Sequence, residues 1–246
     1  MLATFEERKM NMKLNNKTIV ITGASDGIGK QVALKLAEGK VSLALLARNE
    51  QALKAVQAEC QERGCPKVEI YLCDLRETTQ ISQAVNQIMA DFKQVDGLLN
   101  IAGIWQKLSP IEDISAEVVA DVIRTNLTGL IDCTRLLLPH LKKQAEAVII
   151  NVSSKSGVVA QAGQAVYTAT KYGVRGFTEV LKIDLKGTNV RVAGVYQGGT
   201  NTQLFAKAGD QPPIEKYTQP EDLADVIVYM ISRPEKIWLY DVRVEY

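Results

Sequence analysis

From Lys17 to Val244, short apolar runs alternate with longer amphipathic ones, and few folds accommodate that alternation. Lys17–Thr22 (KTIVIT), Val41–Ala47 (VSLALLA), Lys67–Leu72 (KVEIYL), Gly97–Ile101 (GLLNI), Ala147–Val152 (AVIINV), Val190–Tyr196 (VRVAGVY) and Ile237–Val244 (IWLYDVRV) read as strands. Between them Ile28–Glu38, Glu50–Arg63, Glu77–Phe92, Val166–Leu185 and Pro220–Ile231 carry apolar residues at helical spacing. Ser115–Lys143 reads as one or two further helices. Strands separated by helices imply a parallel sheet covered on both faces. The expected class is α/β, a Rossmann-like doubly wound parallel sheet of about seven strands. Neither a repeat nor a low-complexity linker interrupts it, so one domain is expected over 15–246. Residues 1–14 read as a loose extension.

TGASDGIG, Thr22–Gly29, falls where the first strand gives way to the first helix. Its glycines are spaced GxxxGxG, a variant of the dinucleotide fingerprint. Gly23 permits a tight turn, Gly27 lets a backbone approach a pyrophosphate, and Gly29 lets helix and strand pack closely. Free N–H groups of the helix then face the phosphates. Ser25, Asp26 and Ile28 complete this expected cofactor loop. At the end of the second strand, where an acid would take the ribose 2′-hydroxyl of NAD, the chain has Ala47, then Arg48 and Asn49. A guanidinium pairs with a 2′-phosphate that an acid would repel, and a charge-assisted hydrogen bond contributes roughly 1.5–3 kcal/mol. NADP(H) is the expected cofactor, with Arg48 and Asn49 at its adenosine end.

Other chemistries are disfavoured by composition. Net charge is +1 with no basic tract, so no nucleic-acid partner is expected. Apolar runs stop short of the roughly 18 residues of a membrane span, and the N-terminus lacks the apolar core of a signal peptide. The four cysteines form no CxxC, so no metal is expected and a reducing, cytoplasmic setting is. With His140 the only histidine, a Ser-His-Asp hydrolase is improbable. Acid–base chemistry must use another side chain.

VYTATKYGVRGFTEVLKIDL, Val166–Leu185, supplies one. Tyr167 and Lys171 stand one turn apart on one helix face. By themselves they read equally as a surface tyrosine beside a surface lysine. As a pair facing a cofactor they make an acid–base couple. A free phenol ionises near a pKa of about 10, and a neighbouring ammonium lowers that.

Taken together, these motifs resemble the short-chain dehydrogenase/reductase family from about Lys17 through at least Ile231. TGASDGIG is similar to its cofactor motif. CDL resembles the adenine-binding segment, with Asp74 as acceptor for the amino group and Leu75 beside it. NIAG matches the family's NNAG except at Ile101, and brings Asn100, Ala102 and Gly103 to the cofactor. TNLTG supplies Asn126, NVSSKSG supplies Ser154, and YTATK is the family's YxxxK. Ser154 precedes Tyr167 by thirteen residues, as the family pattern requires. The resemblance implies strand order 3-2-1-4-5-6-7 and an oxidoreductase interconverting a small-molecule carbonyl and an alcohol. It implies Tyr167 as proton donor, Ser154 holding the substrate oxygen, and Lys171 also binding the nicotinamide ribose. Asn126 would hold a water that links Lys171 to solvent. Gly198, Thr200 and Thr202 match expected cofactor contacts, and a homodimer or homotetramer is the family default.

The chain also departs from the pattern. Gln197 stands where the family has proline after the sixth strand, which restores an N–H and predicts looser nicotinamide ordering. Asp26 stands where many NADP-preferring relatives have Arg or Lys, leaving that preference on Arg48. The ending YDVRVEY lacks a VDGG-like tail and argues against close kinship with the 3-oxoacyl-carrier-protein reductases. Substrate choice is expected from Ile104–Leu108, Gly157–Gln164 and Gln203–Tyr217, mainly small and apolar groups suited to a modest ketone or aldehyde. The alternative is a catalytically silent NADP(H)-binding sensor or scaffold of the same fold, with Gln197 in its favour.

Overall fold

The computed structural model describes residues 14–233 and 237–245. Seven parallel strands are β1 (Thr18–Thr22), β2 (Ser42–Ala47), β3 (Val68–Leu72), β4 (Gly97–Asn100), β5 (Ala147–Val152), β6 (Val190–Gln197) and β7 (Asp241–Val244). They lie in the expected order, β3-β2-β1-β4-β5-β6-β7. The helices are α1 (Gly27–Ala37), α2 (Glu50–Glu62), α3 (Thr78–Asp91), α4 (Ala116–Ile123), α5 (Gly129–Leu141), α6 (Ala165–Asp184) and α7 (Pro220–Ser232).

Side chains alternate across the strands, and each set meets a different helix layer. Ile19 and Ile21 of β1, with Leu43 and Leu45 of β2, pack against Val32 of α1, Leu53 of α2 and Ile227 of α7. Val20, Ala44 and Leu46 face the other way, toward Ile81 of α3, Leu137 of α5 and Leu181 of α6. Every one of these is buried, and a fully buried Leu or Ile contributes roughly 1.5–3 kcal/mol. Local signals agree with this packing. Asn49 caps α2 by accepting from Ala52 N at 3.0 Å, Ser115 caps α4, and Pro220 starts α7 with Glu221 and Asp222 in its first turn.

One open reading is resolved, and one element differs from expectation. Ser115–Lys143 is two helices joined by a π-turn, Arg124–Thr128, that carries Asn126. The last strand starts at Asp241, not Ile237, because Trp238 spends its indole N–H on Val192 O at 3.1 Å and stacks under Arg191. The extension expected over 1–14 lies outside the described residues except for Leu14, which is buried in the first core. Among the described residues no helix is long and apolar enough to cross a membrane.

The connections reverse direction between β1 and β4, which pair directly. At the carboxyl ends of these strands the sheet opens into a crevice, the usual ligand position in a doubly wound fold.

Candidate active site

A cleft of about 750 Å³ occupies that crevice. Its floor is the glycine turn. Gly23 has φ +71°, and a Cβ there would lie 2.7 Å from Ala102 Cα, so β1 and the loop after β4 meet only through glycine. A Cβ on Gly29 would strike the carbonyl of Gly23, so the start of α1 lies hard against the turn. Gly27 has φ +51° and abuts Thr202. Ser25 and Ile28 line the same wall. Asp26 caps α1, accepting from Gly27 N at 2.7 Å, and its other oxygen accepts from Lys207 Nζ at 2.7 Å.

The second wall comes from β2 and β3. Arg48 and Asn49 line it, with Arg48 half exposed and its guanidinium 3.9 Å from Asp74. Asp74 and Leu75 follow β3. Arg76 grips the Asp74 carboxylate at 2.7 and 3.1 Å and reaches Asp121 at 2.7 Å with its other nitrogen. That grip holds the Asp74 carboxyl below its usual range. Asp74 is therefore ionised and oriented, though tied to Arg76 before any ligand arrives.

At the far end α6 presents Tyr167 and Lys171, both buried and both in the cleft wall. The ammonium lies 5.6 Å from the phenol ring centre and donates to Val152 O at 3.2 Å. Burial pushes the Tyr167 hydroxyl up to about 12, and a hydrogen bond with Ser154 pulls the other way. Burial likewise pushes Lys171 down to about 8. In the protein alone the phenol is therefore raised, not lowered, with burial as the largest cause. Desolvation outweighs the Ser154 hydrogen bond, so Tyr167 stays a phenol at neutral pH. Ser154 is buried after β5 and accepts from Ser156 N at 3.1 Å.

Asn126 sits beside the catalytic pair on the turn between α4 and α5. Its Oδ1 accepts from Ile104 N at 2.7 Å and its Nδ2 donates to Ile104 O at 2.9 Å. The side chain thus clamps the loop after β4 beside Gly103, using one lone pair of its oxygen and one of its two N–H donors. Asn100, expected at the cofactor, is fully buried and donates to Thr134 and Asn151, tying β4 to α5 and β5. Ala102 serves as the surface against which Gly23 packs. Thr202 lines the cleft. Gly198 bonds Val244 O and Thr200 bridges Thr218, so these two hold the exit of β6 outside the cleft wall.

The sequence marked the segments Ile104–Leu108 and Gln203–Tyr217 but not the contacts their side chains make. Gln106, buried, accepts from Tyr167 N at 2.8 Å and so fixes the first turn of α6. Trp105 packs edge-on against Tyr167 at 4.6 Å and against Phe205 at 5.1 Å. Its indole N–H donates to Asp210 at 2.6 Å, fastening the lid Gln203–Tyr217. Of the three expected substrate segments, Ile104–Leu108 and the lid supply cleft residues, whereas Gly157–Gln164 does not. Among the described residues no group of three His, Cys, Asp or Glu could hold a metal.

The arrangement could hold a dinucleotide between the glycine turn and Tyr167. The short chain dehydrogenase family matches residues 17–213. A 3-oxoacyl-[acyl-carrier-protein] reductase of Thermotoga maritima is 30% identical over 230 residues, covering 90% of this chain and 92% of its own. An NADP-dependent 3-hydroxy acid dehydrogenase of Schizosaccharomyces pombe is 29% identical over 94% of this chain and 93% of its own. An alcohol dehydrogenase of Thermococcus sibiricus, solved with 5-hydroxy-NADP, superposes with a TM-score of 0.85 at 25% identity, covering 93% of this chain and 95% of the other. The glycine turn at one end of the cleft, the YxxxK helix at the other, and a match across most of the chain make this protein a member of the short-chain dehydrogenase family of oxidoreductases.

Proposed function

We propose that this oxidoreductase interconverts a modest, neutral ketone or aldehyde with its alcohol, using NADP(H). The observation that carries the reading is Tyr167 and Lys171 in the wall of a cleft that also holds the glycine turn, with Ser154 hydrogen-bonded to Tyr167 behind them. The cofactor, when bound, supplies the hydride. The chain supplies the proton and the positioning. Ser154 holds the carbonyl oxygen, and Tyr167 Oη gives that oxygen its proton as the carbon is reduced. A phenol held at about 12 is fully protonated and ready to donate. The tyrosinate left behind faces the Lys171 ammonium, which lowers its energy and returns a proton. Oxidation of the alcohol runs the same transfers backward.

NADP(H) is supported by Arg48 on the β2 wall, in place of an acid, and by the NADP analogue bound to the Thermococcus relative. A neutral substrate is supported by Ile104, Trp105 and Leu204 near Tyr167. Lys207 and Asp210, the nearby lid charges, are already engaged. The outer face of α6, where Tyr172, Val180 and Ile183 are exposed, supports a homo-oligomer. Oxidation of NADPH and of NADH, followed by absorbance across ketones, aldehydes and quinones, tests the reading. Tyr167→Phe should lower kcat about a hundredfold or more. Turnover that survives this change removes Tyr167 as the acid. Silence of the wild type toward the whole panel leaves the sensor alternative.

A further inference from the structure

Two buried side-chain oxygens in the cleft wall have no hydrogen-bond partner, Thr125 Oγ1 and Gln197 Oε1. The second stands at the catalytic end. Val152, whose carbonyl holds the Lys171 ammonium, pairs with Val195 of β6, and that strand runs on to Gln197. Leaving a buried acceptor unpaired costs roughly 1–3 kcal/mol, so a residue of this kind is explained by a donor that arrives with a ligand. Proline would have neither the oxygen nor the cost.

Chemistry narrows the donor. Tyr167 protonates the oxygen of the carbonyl whose carbon takes the hydride, so the hydride-bearing ring carbon must come close to Tyr167. In a nicotinamide the carboxamide is attached to the ring carbon next to that one. Its NH2 is therefore delivered to this end of the cleft. A primary amide opposite a primary amide can pair donor to acceptor in both directions, and the pair survives a flip of either side chain. We infer that Gln197 is a positioning residue that pairs through its side chain with the carboxamide of the nicotinamide, Oε1 accepting from the NH2. This rests on the NADP(H) reading above. It reverses the expectation that glutamine in proline's place loosens the ring.

The test compares NADP+ with its 3-acetylpyridine analogue, in which a methyl ketone replaces the amide and the NH2 is gone. Dissociation constants are measured by calorimetry for wild type, Gln197→Leu and Gln197→Met, with no turnover required. Wild type should bind the analogue about tenfold more weakly than NADP+. Both variants should bind the two ligands equally, at or below the level wild type shows for the analogue. Thermal midpoints without ligand should not fall, because an unpaired buried oxygen has been removed; a merely structural Gln197 would lower them. Equal affinity of wild type for both ligands, or the same loss for both ligands in the variants, overturns the inference. So does a loss confined to substrate KM, which would assign the acceptor to the substrate. Failure of wild type to bind NADP+ at all would instead sink the cofactor reading itself.

Discussion

Replacing Lys171 by Met should make the ligand-free protein more stable at neutral pH while abolishing activity. The ammonium is buried, and its pKa falls from an ordinary 10.5 to about 8 through desolvation. At about 1.4 kcal/mol per pH unit, keeping it charged at pH 7 costs on the order of 3 kcal/mol. Methionine has similar volume and no charge, but leaves Val152 O without its donor, a loss of about 1 kcal/mol. The net gain at pH 7 is on the order of 2 kcal/mol. Its sign depends on pH in a defined way. Between about 8 and 10.5 the unfolded lysine holds a proton that the folded one has shed, so wild-type stability rises with pH across that window. The advantage of the variant should therefore shrink and vanish near about pH 10. Urea titrations of both proteins at pH 7 and at about pH 10 measure it, and groups common to both cancel in the difference. A variant less stable than wild type at pH 7, or a difference that ignores pH, would refute the desolvation argument.

Two further outcomes concern the β2 wall and the glycine turn. Arg48→Ala should raise the KM for NADPH at least about tenfold and spare that for NADH, since only the 2′-phosphate calls for a guanidinium; an unchanged ratio means the β2 wall does not read that phosphate. Lys207→Met should weaken NADPH binding about fivefold by leaving Asp26 unopposed beside the phosphates, and Asp26→Asn in the same chain should restore it. Fluorescence titration reads both, and a double variant as weak as the single one shows that Lys207 does not act through Asp26.

What the sequence discloses here is whatever rests on local periodicity. Ile19, Val20 and Ile21 alternate between two cores, and that alternation is written in KTIVIT itself. Tyr167 and Lys171 share a face because they are four apart on a helix. Their protonation states were not legible, because they depend on burial that distant strands and the loop after β4 create. The same holds for Asn126, whose amide is claimed by Ile104. Gln106 and Lys207 belong to no motif, and their partners Tyr167 and Asp26 lie 61 and 181 residues away along the chain. Asn100 shows the converse, since a motif position turned out to serve the junction of β4, β5 and α5. The late start of β7 depends on Trp238 finding β6, which no window of sequence contains.

The segment carrying Phe205 is buttoned to opposite banks of the crevice, by Lys207 to the glycine turn and by Asp210 to Trp105. Each button sits over a different half of an elongated guest. On the NADP(H) reading, a dinucleotide spanning the cleft would pass beneath both fastenings, whereas a small guest beside Tyr167 would lie near the Trp105 one alone. On the proposed reading, how fast these two contacts open would bear on how fast a bound guest is released.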